Sequence, residues 1–174
     1  HMLSLQHNKI IVVDGPEIQK IECGSTNFSW RGFFVQSNNA MILHGASAVK
    51  PFLAAFDGYW SQMPKDFGGT AAAQWNDLGL TSIDVRVAFS PHSASNALLS
   101  TVVDDIGTNT ASSLFYSLAF LYQTPGPILD AITNVTSNAD IFVYGISDRK
   151  VGGLDLQKPD GNVASVFPSA LTKN

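Results

Sequence analysis

A run of β-branched residues that ends in a turn signal, Ile10-Ile11-Val12-Val13-Asp14-Gly15-Pro16, constrains the fold of this chain most directly. β-Branched residues favour an extended backbone and the Asp-Gly-Pro sequence ends it, so we predict a strand followed by a hairpin turn. The stretch from Ile18 to Cys23 is then the returning strand. Because side chains alternate across a strand, His7 and Lys9 are expected on one face.

A small polar cluster, Gly24-Ser25-Thr26-Asn27, follows the returning strand. Ser25 and Asn27 are expected to face the same pocket as His7 and Lys9, and Gly24 has no Cβ to keep a ligand away from the backbone. An imidazole can attack phosphorus and form a covalent intermediate. A lysine ammonium and neutral donors can stabilise the charge on phosphoryl oxygens. The hairpin therefore predicts phosphodiester chemistry.

The other polar residues indicate whether this chemistry would involve a metal, a cofactor or a further carboxylate. The chain has one Cys, and, apart from His1 in an N-terminal His-Met pair typical of cloning, its histidines at 7, 44 and 92 lack the spacing of metal ligands, so we expect neither a metal nor a cofactor. Asp14 has the opposite strand parity from His7 and is interpreted as a structural carboxylate at the hairpin turn.

The pattern His7-x-Lys9-x4-Asp14, then Gly24-Ser25-x-Asn27-Phe28-Ser29, then Gln36-Ser37-Asn38-Asn39-Ala40 resembles the phospholipase D superfamily, the HKD phosphodiesterases. The resemblance implies a metal-independent phosphodiesterase. In it, His7, Lys9 and Asp14 form the catalytic motif, with a covalent phosphohistidine on His7, and Ser25, Asn27 and Asn38 bind the substrate. Asn38 stands where the family often has a Glu that orients the histidine, and its amide oxygen can accept the imidazole proton without carrying a charge.

Each of these residues also has an ordinary interpretation. His7 could be a partly exposed strand residue, Lys9 a solvated edge charge, and Ser25 and Asn27 turn caps. Arg31 is interpreted either as a phosphate contact or as a surface residue stacked on an aromatic ring. Three functions from different classes stay open: an active phosphodiesterase, a catalytically incomplete fragment that binds phosphate only, and a non-enzymatic α/β module.

Composition limits the choice of substrate and partner. A net charge of -4 and a pI near 5.4 argue against tight, non-specific binding of nucleic acid. Together with the apolar residues Phe28, Trp30, Phe33 and Phe34, they favour a phospholipid substrate over nucleic acid. No run of residues is long enough for a transmembrane helix and no signal peptide is visible, and the sequence does not indicate a compartment.

Strand and helix patterns alternate along the chain, which predicts an α/β fold with a mixed, largely parallel sheet flanked by helices on both faces. We divide the chain into an HKD-motif half at 3–63, a linker at 64–80, a strand–helix–strand–helix–strand segment at 81–147, and an irregular tail at 148–174. The predicted elements are strands at 39–44, 83–89, 114–122 and 141–146 and helices at 46–63, 93–106 and 125–135.

The order of these parts predicts a fragment. In the family, a strand–helix series precedes each H-x-K hairpin, whereas here the hairpin comes first. We therefore expect the chain to be one permuted half of a two-half enzyme. Phosphodiester displacement needs a nucleophile and a separate acid, and only His7 has the required context, so a homodimer that pairs two HKD motifs is expected.

Overall fold

The computed structural model describes residues 7–61, 64–92, 97–118 and 125–147, and the short strands at 156–157 and 163–164. The chain divides into two compact units, His1–Asn96 and Ala97–Asn174, and each has its own hydrophobic core. Within the described residues, no helix combines the length and the apolar character needed to cross a bilayer.

The first unit is built on a three-stranded antiparallel sheet with the order β1-β2-β3. Its elements are β1 (Lys9–Asp14), β2 (Gln19–Gly24), α1 (Trp30–Phe34), β3 (Ala40–His44), α2 (Ala46–Ser61), α3 (Pro64–Phe67), a 3-10 helix (Ala71–Ala73), β4 (Asn76–Asp77) and β5 (Arg86–Val87). The predicted hairpin is confirmed, since β1 and β2 pair along their whole length. Its turn closes where the Gly15 N–H donates to the Ile18 carbonyl oxygen at 2.9 Å.

Helix α2 packs on one face of this sheet, as its apolar spacing predicts. Its buried residues Ala48, Val49, Phe52 and Ala55 join Ile21 of β2 in one core. Phe56 and Trp60 of the same helix are both exposed and stack on each other with ring centroids 6.3 Å apart. The last part of the predicted helix, 62–63, lies outside the described residues.

The segment 64–80, interpreted as a linker from its Pro and Gly content, is a packed part of the first unit. Phe67, Ala72, Ala73 and Leu78 are buried in the same core as α2, and the Phe67 ring stacks on Tyr59 at 4.4 Å. The glycines and the proline separate short elements. The apolar residues between them are buried, because removing their surface from water lowers the free energy. The boundary between the compact units therefore falls after Asn96 and not within 64–80.

The strand predicted at 83–89 is shorter than expected and belongs to the first unit. Only β5 is extended, and it pairs with β4 in a two-stranded antiparallel sheet. Phe89, just beyond β5, is buried edge-on against Phe52 with centroids 5.0 Å apart. Burial of Phe89 thus adds to backbone hydrogen bonds in holding this segment, among them the bond that the Phe89 N–H donates to the Ala72 carbonyl oxygen at 3.0 Å.

The second unit contains α4 (Leu98–Gly107), β6 (Ser113–Leu118), α5 (Pro127–Thr136), β7 (Phe142–Ser147), β8 (Leu156–Gln157) and β9 (Val163–Ala164). Strands β6 and β7 pair in parallel, and α5 between them buries Ile132 against Tyr116 and Leu118 of β6. Alternate residues of β6 are exposed, with Phe115 at 68%. A two-stranded sheet with one covered face leaves the other face open.

Parts of three predictions lie outside the described residues. These are the start of the helix at 93–106, the end of the strand at 114–122, and most of the tail at 148–174, where only β8 and β9 are described.

The architecture is a mixed α/β fold with small sheets. The expected largely parallel sheet is not what the described residues form, because β6–β7 is their only parallel pair and the other sheets are antiparallel. In the first unit, the face opposite α2 leaves Ile11, Val13 and Ile42 exposed.

Candidate functional site

The sheet register places Lys9 at the start of β1, directly opposite Gly24 of β2. Gly24 in turn lies opposite Ala40 of β3, so the three residues form one row at the end of the sheet. A Cβ added to Gly24 would lie 2.2 Å from the Asn39 carbonyl oxygen, so this close approach of the strands requires glycine.

His7 immediately precedes β1 and is exposed, and the Lys9 Nζ donates to the His7 carbonyl oxygen. His7, Lys9 and Gly24 line a cavity of about 220 Å³. Its other lining residues come from β1, β2, α2 and the segment after β5: Asn8, Ile10, Cys23, Phe52, Val87, Ala88 and Phe89. The cavity thus places His7 and Lys9 next to an apolar wall, although strand parity puts the Lys9 side chain on the face of Ile11 and Val13, opposite α2.

Ser25 and Asn38 form a second polar group, one position beyond the Lys9–Gly24 row. The Ser25 Oγ donates to the Asn38 Oδ1 at 3.4 Å and accepts from the Asn39 backbone N–H at 3.0 Å. The Asn38 Nδ2 donates to the Gly32 carbonyl oxygen at 2.9 Å. Both ends of the Asn38 amide are therefore used to join β2, α1 and the approach to β3.

All of the predicted site residues except Asp14 are brought to the same end of the sheet, but in two groups. Ser25, Asn27 and Asn38 are not among the residues that line the His7 cavity. Asn27 is exposed, and its carbonyl oxygen accepts from the Ser29 N–H at 2.7 Å. In the part of the chain that the structure describes, no hydrogen bond reaches the His7 imidazole from the Asn38 amide.

Asp14 lies at the opposite end of β1 from Lys9. Its Oδ1 accepts a hydrogen bond from the Gln19 Nε2 at 2.8 Å across the hairpin. The span of β1 separates it from Lys9 by about 16 Å, from the rise per strand residue. The structure thus places Asp14 as the hairpin carboxylate that strand parity predicts, away from the cavity of His7 to which the motif assigns it.

Sequence reasoning missed three contributors to this region. Thr26 is buried and its hydroxyl donates to the Asn39 carbonyl oxygen at 2.9 Å, which fixes the loop that carries Ser25. Cys23 lines the His7 cavity, and burial, followed by the charge of Glu22, raises the pKa of its thiol. Phe52 of α2 supplies the apolar wall. The parity of β2 could have identified Cys23, because it lies on the same face of the strand as the buried Ile21, whereas Thr26 lies beyond β2 and has no such signal.

Among the described residues, no three His, Cys, Asp or Glu side chains are grouped closely enough to hold a metal ion. Comparison with protein-family models, with curated proteins and with solved structures found no match to this chain.

Proposed function

We propose that this chain carries the site of a metal-independent phosphodiesterase of the phospholipase D type. His7 is the nucleophile: one imidazole nitrogen attacks phosphorus, the bond to the leaving oxygen breaks, and a phosphohistidine forms. A separate acid protonates the leaving oxygen, and water or an alcohol then takes the phosphoryl group from His7. Lys9 offsets the charge that gathers on the phosphoryl oxygens.

One observation carries this proposal: His7, Lys9 and the close backbone of Gly24 line the same cavity. Ser25 and Asn38 lie one position along the sheet from this row and are hydrogen-bonded to each other. The wider proposal is that the chain is a permuted half of a two-half phospholipase D-like enzyme, whose complete sheet is largely parallel.

Turnover of the intact chain tests the proposal. We expect hydrolysis of a chromogenic phosphodiester in the presence of EDTA, and an acid-labile phosphoenzyme after rapid quenching. His7→Ala abolishes both signals, whereas His44→Ala, an exposed histidine at the end of β3, retains them. Phosphatidylcholine and single-stranded DNA, offered in parallel, distinguish a lipid from a nucleic-acid substrate. Full activity of the His7→Ala variant would contradict the assignment of the nucleophile.

A homodimer is part of this proposal, since the reaction needs an acid as well as a nucleophile. An isologous interface with the motifs near the two-fold axis places a second His7 opposite the first. Sedimentation velocity at micromolar concentration checks the dimer. In mixtures of wild-type and His7→Ala subunits, a shared site makes every mixed dimer inactive, so activity falls with the square of the wild-type fraction, whereas independent sites give a linear fall. A monomer that turns over substrate would rule out sharing.

A second candidate function is phosphate binding without turnover. The observation that favours it is the Asn38 amide, which is bonded to Ser25 and Gly32, so the residue at the position of the family's orienting Glu is already engaged. Binding of inorganic phosphate that depends on Lys9, with no phosphoenzyme under any condition, would support this alternative over catalysis.

A further inference from the structure

The loop between β2 and β3 carries an exposed aromatic surface, defined here as Phe28, Trp30, Phe33 and Phe34. Trp30 is 70% and Phe34 is 74% exposed, and the four rings form one continuous group. Phe28 stacks on Phe33 with centroids 6.3 Å apart, and Trp30 and Phe34 are 6.0 Å apart. Rings of this size in one exposed group mark an interaction site more often than an ordinary surface.

The short helix α1 has its apolar residues on the side away from the protein. Its buried residue is Gly32, whereas Trp30, Phe33 and Phe34 project outward. A Cβ added to Gly32 would lie 1.9 Å from the Asn27 carbonyl oxygen, so no larger residue fits on the inner side. A helix that served the core would bury its aromatic residues. This arrangement directs them to solvent instead.

Two polar contacts hold α1 in this orientation. The Gly32 N–H donates to the Ser29 Oγ at 3.1 Å and caps the start of the helix. The Asn38 Nδ2 donates to the Gly32 carbonyl oxygen at 2.9 Å. These two contacts, each between a side chain and the backbone, hold the aromatic surface in place. Less entropy is therefore lost when the rings become buried against a partner.

The charge around this surface points to the kind of partner. From Cys23 to Phe56 the sequence contains no Asp or Glu, although the whole chain has 14 acidic residues. The exposed cation within α1 is Arg31. Trp and Phe beside a cation, without acidic residues, match the boundary between lipid headgroups and acyl chains, where aromatic rings gather and Arg can meet phosphate.

We propose that the aromatic surface of α1 docks on the surface of a phospholipid bilayer, with Trp30 and Phe34 entering the headgroup region and Arg31 contacting lipid phosphate. The surface is joined to the candidate site, because Asn38 bonds both Gly32 and Ser25. Its role in substrate capture rests on the proposed function, whereas docking itself does not.

Co-sedimentation of the full chain with vesicles tests the docking. We expect binding to vesicles of equimolar phosphatidylcholine and phosphatidylglycerol, and Trp30→Ala weakens it about tenfold through lost burial of the ring. Phe34→Ala acts in the same direction. Arg31→Ala lowers binding to the mixed vesicles about fivefold and has little effect with phosphatidylcholine alone. Because Trp30 and Phe34 are exposed, circular dichroism is expected to be unchanged in these variants.

Trp60→Ala is the matched control, since Trp60 is also exposed, at 80%, but lies at the end of α2. It is expected to bind as the wild type does. Brominated phosphatidylcholine locates the inserted ring: Trp30→Phe retains binding but loses most of the quenching of tryptophan fluorescence. Equal losses in Trp30→Ala and Trp60→Ala, or no binding by the wild type, would overturn the proposal.

Two further readouts separate this proposal from its alternatives. If the wild type dimerises without lipid and Trp30→Ala is monomeric, the surface binds a second copy and the lipid proposal fails. The His7→Ala variant is expected to bind vesicles as tightly as the wild type. Binding by a wild-type chain that hydrolyses no phosphodiester would leave docking intact and refute the proposed function alone.

Discussion

The side-chain amide of Asn38 donates a hydrogen bond to the Gly32 carbonyl oxygen at 2.9 Å, and its oxygen lies 3.4 Å from the Ser25 hydroxyl. One side chain therefore connects the helix that presents the aromatic surface with the loop that carries a predicted substrate ligand. The contact with Gly32 is partly buried, so the carbonyl would have no equivalent partner if the amide were removed.

Asn38→Ala is expected to lower the free energy of unfolding by about 1–2 kcal/mol, because the Gly32 carbonyl oxygen loses its donor. Urea denaturation measures this change. The neighbouring Asn39→Ala is the matched control, since Asn39 bonds Ser25 and Thr26 through its backbone. It is expected to change stability by less than about 0.5 kcal/mol. Equal effects of the two substitutions would contradict the anchoring role of Asn38.

Gly32→Ala is expected to destabilise the first unit by about 2–4 kcal/mol, because its Cβ would overlap backbone atoms of Asn27 that cannot rotate away. Thermal or urea unfolding tests this expectation. Gly69→Ala serves as the control within the same unit, where a Cβ would lie 3.6 Å from the Asp66 carbonyl oxygen, an ordinary contact. A Gly32→Ala variant as stable as the wild type would mean that α1 moves easily, which would weaken the argument for a fixed aromatic surface.

The local parts of the fold could be predicted from the sequence, because local signals determine them. The hairpin follows from β-branched residues and an Asp-Gly-Pro turn, and α2 follows from the spacing of Val49 and Phe52. The role of Asp14 at the turn follows from strand parity, and its bond to Gln19 has the expected location.

Features that depend on distant packing could not be predicted in the same way. The residues at 64–80 contain Pro64 and several glycines, and nothing local indicates that Phe67 and Leu78 become fully buried against α2. The pairing of strands across the chain has no local signal either, so the expected parallel sheet was inferred from element order alone. The cavity wall formed by Phe52 and Phe89 likewise depends on packing between residues that are distant in the sequence.

The candidate site contains one feature that local sequence signals predict and one that they do not. The pairing of Lys9 with Gly24 follows from the hairpin register, and the sequence pattern of two strands joined by a turn is enough to predict that register. The bond from Asn38 to Gly32 depends on the path of the loop between β2 and β3, which no periodicity describes.

Asp14→Ala is expected to leave phosphodiester turnover within about twofold of the wild type, because Asp14 lies at the far end of β1 from the cavity of His7. Loss of the bond to Gln19, which is solvent-exposed, is expected to cost less than about 1 kcal/mol of unfolding free energy. Glu17→Ala, at an exposed position of the same turn, is the control for a change of charge. Loss of turnover in Asp14→Ala, with stability retained, would indicate that Asp14 takes part in catalysis.

The thiol of Cys23 provides a prediction about pH. Burial, followed by the charge of Glu22, raises its pKa in the folded state, so the folded protein holds this proton more tightly than the unfolded chain does. The stability from this group is fully present below the pKa of the unfolded thiol, about 8.5, and is lost as the pH rises through the folded value. Tyr59, whose pKa burial also raises, acts in the same direction at higher pH.

Urea unfolding between neutral pH and about pH 10 measures this loss, since the unfolded thiol and phenol ionise within that range. Stability is expected to fall across it in the wild type and to fall less in Cys23→Ala, because the tyrosines whose pKa burial raises, Tyr59 and Tyr116, then contribute without the thiol. Glu22→Gln, which keeps the thiol but removes the neighbouring charge, is expected to lie between the two. At pH 8.5 the folded wild type is also expected to react with iodoacetamide more slowly than the urea-unfolded chain, since less thiolate is present. A thiol that reacts equally fast in both states, with the same pH slope in Cys23→Ala as in the wild type, would contradict the partial burial of Cys23 beside the cavity of His7.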